Sequence, residues 1–406
     1  MTRCRLAIGL SAIFSICPVI ASEFISTPAN PEAAPPAPVP VEQQQARERE
    51  LTSDEDPLGQ RQTETVDKPE EWPSQPDGIS AYGSARFRYR FTDFKNFVGS
   101  RNSRLGLTGQ WQYQPGKRVI GRIEAGLNLQ PALGDTFASR LMYIGVETPE
   151  HITTFGKNWS SYYRVSGFTD EFDSTGASAS GTFNATTDGG ATGTGRADNT
   201  LQSRFLVDGL PAAINVKPFN LNAQVQYGRK IPLVAGARYG AAFGLSGIVK
   251  TRKDTEIGLA VNFAGIPNKG NAAITAAGID GDALSVITGI RRFRQKWLLA
   301  TTVARLKNQE TTNAGKYFNG WGWEVYGRYK LKNKLWAVGG WNWLQPDVGQ
   351  SQATNYRVKY GVMGLRYAFE EFRRLIYLET RIDDGRLENG TPPGNSYSVG
   401  FRWDLP

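Results

Sequence analysis

The 406-residue sequence holds only two cysteines, Cys4 and Cys17, and one histidine, His151. A single histidine leaves no His/Cys metal cluster, and any Ser-His-Asp arrangement would have to be built on His151 itself. Long apolar runs are also missing beyond the first twenty residues, and the mean hydropathy is −0.41, which excludes a bundle of transmembrane helices. GGATGTG at 189–195 lacks the Lys-Ser/Thr that completes a phosphate-cradling loop. The acidic residues near 170 lack EF-hand spacing. No cofactor, no metal and no enzymatic chemistry are expected.

What is present starts with a leader-like N-terminus. Arg3 and Arg5 precede an apolar run from Leu6 to Ile20, and Val19-Ile20-Ala21 offers a small-residue cleavage site, so residues 1–21 read as a secretory signal. Both cysteines fall inside it, which removes disulfide chemistry from the remainder. Residues 22–78 then change to Pro, Ala, Glu and Gln, a composition unable to bury a core and expected to be a disordered spacer. That segment has 13 acidic and 4 basic residues, a net of −9. Because the whole chain is +9 and the leader contributes +2, residues 79–406 carry +16.

Residues 82–91 read YGSARFRYRF. In a strand Arg86, Arg88 and Arg90 share one face and Phe87, Tyr89 and Phe91 the other. A soluble sandwich would bury the aromatics and solvate the arginines, whereas a membrane barrel would put the aromatics in lipid and the arginines in a lumen. This stretch fits both.

The rest of the chain separates the two readings. Alternating segments recur near 79–92, 103–114, 118–130, 138–147, 151–157, 198–207, 219–230, 236–250, 255–265, 282–292, 296–307, 321–331, 334–345, 355–368, 373–383 and 396–404, an even total of sixteen strands. Short turns such as QPGK, TRKDT and LKNK alternate with longer loops such as NQETTNAGKYFNG, the asymmetry of a barrel with one short-turned and one looped rim. Trp321 and Trp323, Trp341 and Trp343, and Tyr397, Phe401 and Trp403 each fall on a single strand face, as outward interfacial girdles require. The fold expected is all-β: a sixteen-stranded antiparallel transmembrane barrel over residues 79–406. A secreted soluble sandwich with a binding role is the alternative from another class.

One connection is unusually long. Between Lys157 and Asp198 lie aromatics, the acidic cluster Asp170, Glu171 and Asp173, and a Gly/Ser/Thr-rich tail, a composition that marks a functional loop. FGKNWSSYYRVSGFTD, GRADNTLQSRFLVDGL and FNLNAQVQYGRK resemble, in order, the fifth strand with the inward-folded third loop, and the sixth and seventh strands, of the trimeric general porins of Gram-negative outer membranes. YGSARF, SRLGLTGQWQY and SRLMYIGVE resemble that family's first, second and fourth strands. The resemblance is close over residues 79–230 and by pattern alone beyond.

The resemblance implies a homotrimer in outer-membrane lipid that passes small hydrophilic or anionic solutes, and the secretory signal argues against nucleic acid as a partner of the basic strands. It also implies a narrow eyelet in which wall arginines face carboxylates of the folded-in loop. Arg104, Arg140 and Arg196 fall on the family's constriction arginines, Arg204 follows at its spacing, and Arg86 lies two residues beyond Ser84, which replaces the family's first-strand lysine. Asp170 falls on the first loop carboxylate, with Glu171 and Asp173 beside it. The family's Pro-Glu-Phe-Gly-Gly is absent, so the acidic side is weaker, and further lumen residues Arg88, Arg90 and Arg122 outnumber Glu124. An anion-preferring diffusion pore is therefore expected, with a substrate-specific anion or organic-acid channel using Arg86, Arg88 and Arg90 as its rival. PALGDTF is shorter than the family's inter-subunit latch, and Asp404-Leu405-Pro406 replaces its terminal aromatic.

Overall fold

Alternation of side chains along each strand organises the molecule, and the last strand, Ser396–Leu405, shows it most simply. In SYSVGFRWDL the residues Ser396, Ser398, Gly400, Arg402 and Asp404 are buried while Tyr397, Val399, Phe401, Trp403 and Leu405 are exposed. A computed structural model of the chain describes residues 77–93, 96–99, 102–128, 137–207, 216–251, 254–370 and 373–405. The leader at 1–21, the spacer up to residue 76 and the segment 131–136 of the short loop lie outside the described residues.

Sixteen antiparallel strands form one sheet. They are β1 (Gly78–Thr92), β2 (Asn96–Gly99 continued by Ser103–Gln114), β3 (Lys117–Leu127), β4 (Phe137–Glu147), β5 (His151–Trp159), β6 (Arg196–Val207), β7 (Val216–Gln226) and β8 (Ala242–Thr251). The second half comprises β9 (Thr255–Ala264), β10 (Ala283–Arg294), β11 (Trp297–Thr311), β12 (Tyr317–Lys332), β13 (Leu335–Pro346), β14 (Val358–Glu370), β15 (Arg374–Asp383) and β16 (Ser396–Leu405). Each strand pairs with its neighbours in sequence, and the sheet closes because β1 pairs with β16 from Gly83↔Leu405 to Thr92↔Ser396. β1 also meets both pieces of β2, Gly78–Ser84 against the longer piece and Arg88–Phe91 against the shorter one. A closed sheet leaves no backbone edge to satisfy.

Closure gives the barrel an apolar exterior. Leu105, Leu107, Ile123, Ile144, Leu245, Leu259, Leu299 and Leu378 are exposed along mid-strand positions. Near the short-turn end they give way to Trp111, Tyr113, Tyr329, Phe369 and Trp403, and near the looped end to Phe91, Phe243, Trp321 and Tyr397. The soluble-sandwich alternative is overturned here: one closed sheet, with the large apolar residues outside and charged ones within, is the inverse of a sandwich core.

The sixteen expected strands are all found, with several ends shifted by three to six residues. The strand expected from 236 starts at Ala242, because residues 227–241 fold back on themselves through the bridge Lys230↔Arg238. Their Ile231, Val234 and Tyr239 pack with Ile274, Ile279 and Tyr317 into a small apolar cap on the looped rim. That burial outcompetes further ladder pairing. The turn from β2 to β3 is set by Gly116, whose φ of +72° is readily reached without a Cβ.

Neighbouring residues on β2 test the orientation of the wall. Leu107 faces outward and Thr108 inward, so Leu107→Arg should cost about 2–4 kcal/mol of barrel stability while Thr108→Arg is tolerated. The folded fraction in lipid vesicles, read by heat-modifiable gel mobility and urea titration, distinguishes the two variants.

Candidate functional site

At Trp159 the chain leaves β5 and turns into the barrel, returning only at Arg196. The two ends of this loop are pinned together, since the Ser160 amide donates to the Gly195 carbonyl (2.8 Å) and its hydroxyl donates to the Thr194 carbonyl (2.7 Å). Within it, residues Tyr163–Ser166 form one helical turn, α1. Tyr162, Val165, Phe168 and Phe172 are buried against inward positions of β8 to β14, among them Ile248, Ala260, Ile287, Leu298, Tyr326 and Val338. The wall opposite the loop is small where the loop runs closest: a Cβ on Gly322 would stand 1.6 Å from the Ala179 carbonyl oxygen. β9 to β14 therefore carry apolar and small residues on both faces, one for the exterior and one for the loop.

Two inward carboxylates hold the loop's backbone. Glu324 accepts from the amides of Ala179 (2.7 Å) and Ser180 (2.9 Å) through one oxygen and from the Thr169 hydroxyl (2.5 Å) through the other. Glu379 accepts from the amides of Asp173 (2.9 Å) and Ser174 (2.8 Å). Both are fully inside the barrel, where a charged acceptor gains most from such donors. The Ser174 carbonyl accepts in turn from Arg88 (2.9 Å) and Arg90 (2.8 Å), and its hydroxyl donates to Ser398 (2.8 Å). The loop thus crosses the lumen and is tied to β1, β12, β15 and β16.

Beside the loop stands a wall of arginines. Glu124 pairs with Arg122 (2.7 Å), Arg140 (2.6 Å) and Arg104 (4.0 Å), and accepts from the Tyr82 hydroxyl (2.7 Å). On the neighbouring strands Arg402 pairs with Asp404 (2.7 Å), the Ser84 hydroxyl donates to Asp404 (2.5 Å), and Arg86 donates to Ser84 (2.9 Å). Inward positions of β1 to β4 and β16 thereby bring seven buried arginines, at 86, 88, 90, 104, 122, 140 and 402, against two carboxylates, Glu124 and Asp404. This is a concentrated positive field across a low-dielectric wall.

The residues singled out from sequence divide into three groups. Ser84, Arg86, Arg104, Arg122, Glu124 and Arg140 come together on the arginine wall; Arg88 and Arg90 share that wall but reach over to the loop. The acidic residues have partners on the loop itself and on the C-terminal strands. Asp173 pairs with Arg366 of β14 (2.5 Å), Glu171 lies 3.4 Å from Arg328 of β12, and Asp170 accepts from Tyr163 (3.0 Å). Arg366 also donates to the Glu171 carbonyl. Arg196 sits at the loop's return, stacked over Trp159 (4.8 Å) and 3.7 Å from Asp188. Arg204 lies lower on β6, in a cavity at the short-turn end, so it is not part of the Glu124 cluster.

Arg402, Asp404, Glu324, Arg328, Arg366 and Glu379 were not singled out from sequence. All belong to the C-terminal half, where the resemblance is one of pattern only. Alternation does expose them as candidates, since each is a charge on the face opposite Trp323, Tyr367, Leu378 or Trp403.

Cavities open beside the loop at both ends of the barrel. One of about 340 Å³ opens at the short-turn end and is lined by Arg118, Arg122, Arg164 and Arg204 with Glu147, Gln110, Asn158 and Gln202. The other, about 110 Å³, opens at the looped end and includes Arg357, Arg381, Arg386, Glu310 and Asp383. Such an arrangement can attract and orient charged solutes. Among the described residues it offers no group of three metal-ligating side chains.

Neither a sequence-family model nor any curated protein sequence matches the chain. Solved structures do. OmpF of Salmonella typhi, in complex with daunomycin, superposes with a TM-score of 0.66 at 17% identity, covering 81% of this chain and 98% of that one. The anion-selective porin from Comamonas acidovorans gives 0.60 at 12% identity over 81% and 100% of the two chains. The outer membrane channel DcaP of Acinetobacter baumannii gives 0.59 at 14% over 82% and 98%. The chain therefore has the sixteen-stranded porin fold.

Replacing Glu324 tests whether the carboxylates hold the loop. Hydrogen bonds to a charged group contribute about 1.5–3 kcal/mol, so Glu324→Gln should speed hydrogen exchange at Ala179 and Ser180 on the order of 10- to 100-fold. Peptide-level exchange with mass spectrometry should show the change in residues 169–182 and leave β1 to β4 protected.

Proposed function

We propose that the protein is an outer-membrane porin that passes small hydrophilic solutes and ions by passive diffusion and prefers anions. The observation that carries this reading is the concentration of seven buried arginines on β1 to β4 and β16, with Glu124 and Asp404 as inward carboxylates of those strands, while Glu171 and Asp173 pair with Arg328 and Arg366 of β12 and β14. Asp173 also lines a small cavity with Arg86, Arg88 and Arg402, where the arginines outnumber it. The net field beside the loop is positive, and charged rings select ions through that field. The fold shared with an anion-selective porin and an outer-membrane channel supports the same reading. An apolar belt between two aromatic girdles supports a lipid environment. Association as a homotrimer belongs to this proposal through the sequence resemblance alone.

The path needs no chemistry. A solute entering either cavity exchanges part of its hydration shell for arginine and amide donors, and many weak contacts let it leave again. A dedicated organic-acid channel that uses Arg86, Arg88 and Arg90 as a ladder is the second reading. It is weakened by the hydrogen bonds from Arg88 and Arg90 to Ser174, which commit part of that ladder to the loop.

Reversal potentials across a planar bilayer under a KCl gradient test the proposal. Chloride should be preferred over potassium. Removing one wall charge should change the selectivity by about 0.5–1 kcal/mol, so Arg104→Gln or Arg140→Gln should lower the anion-to-cation permeability ratio about two- to fivefold, and Glu124→Gln should raise it by a similar factor. A silent bilayer, or a preference for potassium in the unmodified protein, would refute the assignment.

A further inference from the structure

The cavity of about 110 Å³ at the looped end holds a like-charge pair that belongs to neither the arginine wall nor the folded-in loop. Arg357 immediately precedes β14, and Arg386 lies three residues beyond the end of β15, where the two form an isolated antiparallel bridge. The Arg357 amide donates to the Arg386 carbonyl (2.9 Å) and the Arg386 amide to the Arg357 carbonyl (2.7 Å). Residues directly opposite each other in such a bridge project from one face, where like charges repel. Both side chains line the cavity.

The carboxylates close by are engaged by other cations. Asp383 accepts from Arg381 (2.8 Å), and the exposed Asp384 pairs with Lys359 and acts on Arg357 and Arg386 at longer range. Arg357 donates one terminal nitrogen to the Asp384 carbonyl (3.2 Å), but its Nε is buried with no acceptor among the described residues. The exposed Arg386 side chain has no hydrogen bond or ion pair among the described residues. A buried donor without an acceptor costs free energy until something supplies one. The same lining carries Phe183, Leu344, Tyr356 and Leu387, together with one further carboxylate, Glu310.

We infer that Arg357 and Arg386 form a binding site for a small organic monocarboxylate with an apolar body. A carboxylate laid across the two guanidinium groups supplies the acceptor that Arg357 Nε lacks and offsets the repulsion within the pair through charge-assisted hydrogen bonds. The apolar side chains take the body of the ligand out of water, as in small-molecule sites that combine a greasy lining with a few placed polar groups. An enclosed cavity of about 150 Å³ holds benzene, so about 110 Å³ open on one side suits a six-membered ring whose charged end reaches the arginines. Glu310 opposes a second negative charge, which favours monoanions over inorganic phosphate. The site deepens the porin reading, and its consequence rests on that reading: such anions would be gathered at the looped mouth before they meet the arginine wall.

Fluorine NMR of 4-fluorobenzoate tests the site on the folded full-length barrel in detergent micelles, with empty micelles as the baseline. The line should broaden saturably. Arg386→Gln changes an exposed loop residue and leaves the barrel intact, which heat-modifiable gel mobility checks; it and Arg357→Gln should each weaken binding about tenfold through loss of a charge-assisted hydrogen bond. Neutral 4-fluorobenzyl alcohol should bind about tenfold more weakly than 4-fluorobenzoate for the same reason. Inorganic phosphate at equal concentration should not displace the benzoate. Absence of saturable binding, unchanged affinity in both variants, equal binding of the alcohol, or displacement by phosphate would overturn the site. Planar-bilayer recordings separate that outcome from the pore assignment. A silent bilayer with binding intact fails the pore reading and leaves the site standing, whereas an anion-selective current without saturable binding fails the site alone.

Discussion

A sheet without edges is the constraint on which everything else in this molecule depends. Once β1 and β16 pair from Gly83↔Leu405 to Thr92↔Ser396, the sheet has no open edge and side chains along the strands alternate between two faces. Leucines and isoleucines take the outside, and arginines, glutamates and small residues take the inside. The charge of the lumen follows directly from that division, since the aromatic and aliphatic halves of the alternation are claimed by the exterior.

The interior is then asymmetric because one loop must be held. Residues 160–195 carry Tyr162, Val165, Phe168 and Phe172, which are buried only if the loop lies on a wall that offers apolar and small partners. β9 to β14 supply those partners, and Glu324 and Glu379 satisfy the loop amides that would otherwise lose water without compensation. Two acidic residues of the loop, Glu171 and Asp173, pair with Arg328 and Arg366 on that side. The cluster around Glu124 stands on β2 to β4. The positive character of the constriction is thus a by-product of how the loop is anchored as much as of how many arginines the wall contains.

The strand inventory was legible because period-two alternation and turn residues are local signals. YGSARFRYRF assigns Arg86, Arg88 and Arg90 to one face without any neighbour being known, and SYSVGFRWDLP does the same for Arg402 and Asp404. The cap formed by residues 227–241 was not legible, since its Ile231 and Tyr239 find Ile274 and Tyr317 across the sheet. The partners of Asp170, Glu171 and Asp173 were hidden for the same reason. Arg328 and Arg366 lie more than 150 residues downstream, and only the register of β12 and β14 brings them under the loop.

Sequence alone determined that the chain forms sixteen strands, that each has a greasy and a charged face, and that one long connection differs from the others. Those properties are set by the order of neighbouring side chains. Tertiary structure decided which wall the loop lies against and which charges are consumed in holding it, leaving others beside the opening. Such choices depend on distances between strands far apart in the chain, and those distances exist only after the barrel has closed.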